Sequence, residues 1–296
     1  MNIPALEVSD WEQLNWRQRN RLLARPARRD AATTLEQARA LLRRIRDGGD
    51  QALVELTERF DGVRLDAIEV ASGEFDAAEA SLPAAVRAAL DTAIAAVGRF
   101  HKVQRRAPLS LQTSPGVVCR QLEVPIAMVG LYVPAGSAPL PSTAIMLAEP
   151  ARIAGCALRI LCTPPRRDGR ADPAVLYVAR RCEIHRVFKL GGAQAIGAMA
   201  FGTETVPHVN KIFGPGNAWV SAAKQLLATE ADGVACDLPA GPSEVLVIAD
   251  ESASPDFLAA DLLAQAEHGA DAEVILVATS RDLVARVSRE LTRQAA

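Results

Sequence analysis

The sequence predicts an α/β protein built on parallel sheets, with a helical region at its N-terminus. Short, unbroken apolar runs alternate with helical patterns through most of the chain, as in 158–163 followed by 173–182. Strands that are apolar on both faces are typical of parallel sheets covered by helices on both sides. A chain of 296 residues, 49% of them hydrophobic, is long enough for about two domains with cores of their own.

Charge and composition narrow the class of protein. The formal net charge of -2 argues against nucleic acid or an anionic membrane as the main partner. No apolar run approaches the roughly 20 residues of a membrane helix, and no charged-then-apolar leader opens the chain. The 5 cysteines are widely spaced and odd in number, which favours reduced thiols over a disulfide framework. We therefore expect a cytoplasmic protein.

The first hundred residues are mainly helical in pattern. Residues 1–30 are polar and basic, and we interpret them as an arm that packs on a neighbouring part or on a partner subunit, in preference to a nucleic-acid arm. Apolar residues then recur at three- and four-residue steps until Asp47-Gly48-Gly49, and a second helix runs from an Asp50 cap to the turn at Asp61. A short strand at 68–70 precedes a long helix after Pro83, whose predicted inward residues are Val86, Leu90, Ile94, Val97 and Phe100.

Strand and helix patterns alternate from residue 117 onward. Two strands at 117–124 and 126–133 lead into the Pro- and Gly-rich loop 134–141, and Ser142 is the predicted cap of the next helix. Further strands are predicted at 158–163, 187–190, 211–213, 244–249 and 273–278. Helices are predicted at 173–182, 192–200, 218–227, about fifteen residues from Pro255, and from Asp282 to the end.

Ligands on parallel sheets bind beyond the carboxyl ends of the strands, which directs attention to the loops there. Gly191-Gly192 and Gly214-Pro-Gly-Asn217 would each let backbone amides approach a phosphate at a helix N-terminus. The G-x-G-x-x-G fingerprint is absent from the sequence. On this pattern alone, plain turn chemistry is favoured over dinucleotide binding, and both remain open.

The helix after Ser254 carries two side chains that can bind metal. Ser254 is the predicted N-cap, Pro255 the first helical residue and Gly269 the residue that ends the helix. Gln265 and His268 lie about 60° apart in projection on the half-apolar face. Spacing alone favours a hydrogen-bonded core histidine over a metal ligand, because a zinc site usually has four ligands.

Five segments, in order, resemble histidinol dehydrogenase from about residue 30 to the end of the chain. They are GLYVPAG at 130–136, FKLGGAQAI at 188–196, KIFGPGN at 211–217, PAGPSEVLVI at 239–248 and LAQAEHG at 263–269. The resemblance implies zinc- and NAD-dependent oxidation of L-histidinol through L-histidinal to L-histidine, the last steps of histidine biosynthesis. It also implies a homodimer with two Rossmann-like domains, the first of them discontinuous and incomplete in this chain.

The resemblance assigns roles to individual residues. Those similar to NAD contacts are Tyr132, Gln194 and Asn217. Those similar to substrate contacts are Ser243, Gln265 and His268, and the residues similar to zinc ligands are Gln265 and His268. Family chains continue beyond Ala296, so the resemblance puts two further zinc ligands and the acid/base Glu-His pair there. We therefore expect no catalytic residue within 1–296, and Glu267-His268 is not that pair.

The expected domain division is 1–30 as an arm, 31–112 as the helical part of domain 1, 113–240 as the NAD-side domain 2, and 241–296 as a return to domain 1. Two other functions stay open: a related zinc- and NAD-dependent dehydrogenase acting on another polar alcohol, and a non-catalytic NAD-binding or oligomerising fragment. A thiol-dependent aldehyde dehydrogenase using Cys236 is a weaker hypothesis, because no His is near it in sequence.

Overall fold

The computed structural model describes residues 7–24, 31–135, 139–184, 186–230, 233–238, 244–267 and 272–295. It divides into two units, one joining Met1–Ala32 to Gly241–Ala296 and the other comprising Thr33–Ala240. Each unit contains parallel strands with helices packed on them, and helices dominate the first hundred residues. The predicted α/β class is therefore confirmed.

Helices form the first part of the larger unit. They are α2 (Ala31–Asp61), α3 (Ser72–Ser81) and α4 (Ala84–Val103), preceded in the smaller unit by α1 (Trp16–Leu22). The predicted break in α2 is confirmed, because Gly49 has φ 51° and ψ -139°. Glu204 stabilises this break by accepting a hydrogen bond from the Asp50 amide at 2.8 Å. The carboxylate of Asp50 accepts hydrogen bonds from the hydroxyls of Thr203 and Thr205, which ties the break to the segment after α7.

Several local predictions need correction. The sequence pattern did not predict α3 or β1 (Leu109–Ser114), which forms a hairpin with β2 (Val117–Gln121). The strand predicted at 117–124 corresponds to β2 and ends earlier, at Gln121. Val86 and Phe100 on α4 are exposed, at 39% and 63%, whereas Leu90 is buried. Only the middle of α4 enters the core, so its apolar periodicity overstates the buried face. The predicted strand at 68–70 is a single antiparallel bridge between Glu69 and Phe188.

A five-stranded parallel sheet forms the centre of the larger unit. Its strands, in spatial order, are β5 (Arg186–Lys189), β4 (Leu158–Thr163), β3 (Met128–Tyr132), β6 (Lys211–Phe213) and β7 (Ala235–Cys236). The connecting helices are α5 (Pro141–Ala154), α6 (Pro173–Arg181), α7 (Gly192–Phe201) and α8 (Ala218–Thr229). The N-cap of α5 is Leu140, not Ser142, because Pro141 takes the first helical position, where its fixed φ is favourable.

The side on which the chain adds new strands to this sheet changes between β3 and β6, while the strands themselves stay parallel. From β3 the chain adds β4 and β5 on one side, and it then returns to add β6 and β7 on the other. Such a topological switch point opens a crevice at the carboxyl ends of the two adjacent strands, where ligands of open α/β sheets bind. The two strands end at Tyr132 and Phe213, so a ligand site of this kind would begin at those residues.

Both faces of this sheet are covered. Side chains of α2, α7 and α8 pack on one face, and those of α3 to α6 pack on the other. Ile160 and Leu161, successive residues of β4, are both fully buried because each faces one of these cores. Residues 33–112 thus lie in the same unit as 113–240. The expected assignment of 31–112 and 241–296 to one domain stays a prediction.

The smaller unit holds β8 (Glu244–Ala249) and β9 (Glu273–Ala278), which pair in parallel, with α9 (Pro255–Ala266) and α10 (Arg281–Ala295). Ser254 is the N-cap of α9 and Pro255 its first residue, as predicted, while Gly269 lies outside the described residues. The helices cover one face of the strand pair. On the other face, Leu246 and Ile248 are 56% and 74% exposed.

Among the helices within the described ranges, none is by itself long and apolar enough to cross a membrane. Only α3 and α4 taken together meet the length and composition criteria, and they are bent by 110° relative to each other.

Candidate functional site

Tyr132 connects two strand ends at the carboxyl edge of the sheet. It is the last residue of β3, and its side chain is only 4% exposed. Its phenol oxygen accepts a hydrogen bond from the backbone N–H of Gly192 at 2.8 Å, at the start of α7. Burial raises the pKa of Tyr132 to about 12, so the phenol is neutral at physiological pH. The loops after β3 and β5 therefore meet at this side chain.

Gln194 lies in the first turn of α7 and is 3% exposed. Its Nε2 donates a hydrogen bond to Oδ2 of Asp61 at 3.2 Å. Burial raises the pKa of Asp61, and the bond from Gln194 opposes that shift. Tyr132, Gly192, Gln194 and Asp61 thus form one polar cluster, and the structure brings together two of the three residues predicted to contact NAD.

Asp61 was predicted only as a turn residue at the end of a helix. A carboxylate at a helix C-terminus is electrostatically unfavourable, because the backbone carbonyls there carry partial negative charge. The position of Asp61 at a helix C-terminus was therefore a feature of the sequence that indicated a role beyond the turn. Its partner Gln194 is 133 residues away in sequence, so no local pattern indicated the contact.

Gly214 lies in the turn after β6, directly beside the end of β3. It has φ +135°, and a Cβ there would lie 2.1 Å from the carbonyl oxygen of Tyr132. Only glycine lets the turn after β6 pass this close to the end of β3. The same turn is held by Lys224, which donates hydrogen bonds to the Gly214 carbonyl and to Oδ1 of Asp237.

Asn217 caps α8, the helix that follows this turn. Its Oδ1 accepts hydrogen bonds from the N–H groups of Trp219 and Val220 at 3.1 and 3.2 Å. The residue is exposed, so it lies at the surface of the same edge. A predicted NAD contact therefore has a structural role as well, and any substitution must be designed to separate the two.

The predicted zinc and substrate residues are only partly described. Ser243 and His268 lie outside the described residues, while Gln265 is on α9 and partly buried. Within the ranges that the structure describes, no three His, Cys, Asp or Glu side chains come together as a metal-binding group. The amide oxygen of Gln265 can bind zinc. Of the two predicted zinc ligands, only Gln265 is within the described residues, so the predicted site stays untested.

The surroundings of Cys236 argue against the hypothesis of a thiol-dependent aldehyde dehydrogenase. This side chain is partly buried on β7, and burial raises the pKa of its thiol. Burial also raises the pKa of Cys162, and it raises that of Cys182 to about 12. Reactive cysteines have lowered pKa values, so these thiols are structural in character.

The fold and this edge define the class of protein. A parallel sheet with a topological switch point, flanked by glycine turns that lead into helix N-termini, places the chain among the Rossmann-like α/β proteins. The family model described as histidinol dehydrogenase matches residues 24–296. The chain therefore belongs to the histidinol dehydrogenase family, a family of oxidoreductases.

Individual relatives agree with this. The chain is 52% identical over 291 residues to histidinol dehydrogenase of Xanthomonas axonopodis pv. citri (strain 306), covering 98% of this chain and 67% of the relative. It is 48% identical to that of Aliivibrio fischeri (strain ATCC 700601 / ES114), covering 96% and 65%. The crystal structure of histidinol dehydrogenase from Elizabethkingia anophelis superposes with a TM-score of 0.79 at 42% identity, covering 90% of this chain and 63% of that one. The chain thus spans about two thirds of the length of the relatives it matches.

Proposed function

We propose that this chain carries the NAD-binding part of a histidinol dehydrogenase, which oxidises L-histidinol through L-histidinal to L-histidine with NAD and zinc. The observation that supports it most is the meeting of Tyr132, Gly192 and Gly214 at the switch point of the sheet. Family membership supports the reaction, and the switch point in the strand order supports the place where the dinucleotide binds.

Tyr132, Gln194 and Asn217 are the proposed NAD contacts. The phenol of Tyr132 is neutral and fixed by Gly192, so it presents a hydroxyl of known orientation and no charge. Asp61 fixes the amide of Gln194 in the same way. These constraints reduce the entropy lost when a ligand is bound. NAD, when bound, supplies the hydride acceptor of the oxidation.

Gln265 and His268 are the proposed zinc ligands, and Ser243 joins them in contacting the substrate. An amide oxygen and an imidazole nitrogen both suit zinc, which usually takes four ligands. In the proposed site these residues orient the amino alcohol, so that binding and positioning are their contribution.

Titration of the chain with NADH, followed by fluorescence, tests the proposed NAD site. Tyr132→Phe and Gln194→Ala should each weaken binding. Tyr177→Phe is a matched control, because Tyr177 is the other tyrosine of the chain and donates its hydrogen bond to Asp91, on α4. Failure of the unaltered chain to bind NADH would refute the proposed NAD site.

The substrate is tested separately. NADH formation at 340 nm is measured with L-histidinol and with other polar alcohols, in the presence of zinc. Turnover of another alcohol in preference to histidinol would favour the related dehydrogenase, and NADH binding without any turnover would favour the non-catalytic fragment. A homodimer and a cytoplasmic location are part of the same proposal.

A further inference from the structure

Lys224 places a charged group inside the larger unit, beside the switch point. The residue is 2% exposed and lies on the inner face of α8, between Val220 and Leu227. Its Nζ donates hydrogen bonds to the carbonyl of Gly214 and, at 2.6 Å, to Oδ1 of Asp237. A buried ammonium must be paired to be tolerated, and here both partners belong to the carboxyl edge of the sheet.

Asp237 completes a closed network around one glycine. Its Oδ2 accepts a hydrogen bond from the Gly214 N–H at 2.7 Å, and its own N–H donates to the Ile212 carbonyl at 3.1 Å. Both backbone polar groups of Gly214 are therefore held by side chains. Because Gly214 also contacts the Tyr132 backbone, the network sets where the turn after β6 lies relative to the end of β3.

Stability alone is a poor explanation for such a pair. Lys224 is almost fully buried and Asp237 is mostly buried, so placing their charges here costs desolvation free energy. Buried ion pairs are often replaced by uncharged residues with no net loss of stability. What the pair does provide is a fixed geometry. The pair joins Lys224, in the middle of α8, to the turn that precedes this helix at Gly214. Asn217 lies between these two residues in the chain.

We infer that Lys224 and Asp237 are positioning residues of the dinucleotide site. They hold the turn 214–217 and the N-terminus of α8 in the conformation that receives the ligand, without touching it themselves. This inference rests on the proposed function, since it needs NAD to bind at this edge.

The test is the double variant Lys224→Met with Asp237→Asn. It removes both charges together, and the Asn oxygen can still accept the Gly214 N–H. NADH affinity is measured by fluorescence and the folded state by a thermal melt. We expect a melt close to that of the unaltered chain and an NADH affinity lowered about tenfold or more.

A matched control comes from the opposite edge of the sheet. Glu149 and Arg152 on α5 form a pair at 2.7 Å with side-chain exposures of 3% and 31%, against 3% and 27% for Lys224 and Asp237. Glu149→Gln with Arg152→Met removes a pair of equal burial from the helix that returns to the amino end of β4. This control should leave NADH affinity unchanged.

The outcomes separate the two claims. A folded Lys224/Asp237 variant that binds NADH as the unaltered chain does would overturn the inference and leave the proposed function standing. Equal weakening in the control variant would also overturn it, because any lost buried pair would then have the same effect. An unaltered chain that does not bind NADH would overturn both.

A second variant covers the case in which the double variant does not fold. Asp237→Glu keeps both charges and lengthens the arm by one methylene, which shifts the Gly214 turn. A folded Asp237→Glu chain with lowered NADH affinity supports the inference, and one with unchanged affinity refutes it.

Discussion

The phenol oxygen of Tyr132 lies 2.8 Å from the backbone nitrogen of Gly192, whose N–H it accepts. This bond joins the end of β3 to the start of α7 and uses a helix-terminal N–H that has no partner within the helix. Burial of the ring makes the neutral phenol the stable form in the folded chain.

The first prediction concerns the titration of Tyr132. The variant Tyr177→Phe leaves Tyr132 as the single tyrosine, and its pKa of about 12 lies above the ordinary 10.0. The folded state then binds more protons than the unfolded state between these values, so stability falls as pH rises from 10 towards 12. Phenolate absorbance at 295 nm should stay low near pH 10.5 in the folded variant and appear in urea. Equal absorbance in both would contradict the burial argument.

The second prediction concerns Gly214→Ala. The added methyl would meet the Tyr132 carbonyl at 2.1 Å, and φ +135° is unfavourable for alanine. We expect a loss of about 2 kcal/mol or more in unfolding free energy, measured by urea denaturation. Gly73→Ala is the control, because a Cβ there has nothing within 4 Å. Alanine is favoured over glycine in a helix by up to about 1 kcal/mol, so this variant should not lose stability.

The third prediction separates the capping role of Asn217 from its proposed role in NAD binding. Asn217→Asp retains an oxygen that can cap α8, whereas Asn217→Leu loses the cap and about 1 kcal/mol of stability. Both variants lose the side-chain amide, so both should bind NADH more weakly than the unaltered chain. Full NADH affinity in both would move the contact to another residue.

The fourth prediction concerns zinc. The proposed zinc ligands Gln265 and His268 would be two of the four that zinc usually takes, so we expect the chain of 296 residues to bind zinc weakly, with histidinol oxidation absent or slow. Equilibrium dialysis measures the binding, and His268→Asn should reduce what remains. Stoichiometric, tight zinc together with rapid NADH formation would refute this.

The fifth prediction concerns self-association. Leu246 and Ile248 leave one face of the β8–β9 pair apolar and exposed, and such surfaces favour association. Light scattering at micromolar concentration should show dimers or larger species, and Leu246→Thr with Ile248→Thr should reduce them. The paired change Ala260→Ser with Asp261→Asn, at exposed positions on α9, should not. A clean monomer of the unaltered chain would count against this.

Strand positions were predictable where the local signal was strong. The bounds of β4, β6, β8 and β9 match the prediction because each is a short apolar run between turn residues. The strand β1 was not predicted, because every residue of β1 and β2 is exposed and burial therefore imposes no periodicity on the sequence of this hairpin.

The site was predictable only in part. Tyr132, Gln194 and Asn217 came from resemblance, since glycine turns alone also fit plain turn chemistry. Lys224 carried an unused signal, because a lysine on the apolar face of a helix requires a buried partner. That partner, Asp237, follows a two-residue strand whose pairing depends on the assembled sheet, so sequence could not identify it.

The edge strand β7 has a consequence for dynamics. It pairs through only two residues, Ala235 and Cys236, and Asp237 follows directly. Short edge strands open locally at low free-energy cost, and each opening would withdraw Asp237 from Gly214 and disorder the turn beside Tyr132. Because coupling between sites is reciprocal, a ligand that favours the ordered turn must slow hydrogen exchange at the amides of this edge, far along the chain from Tyr132.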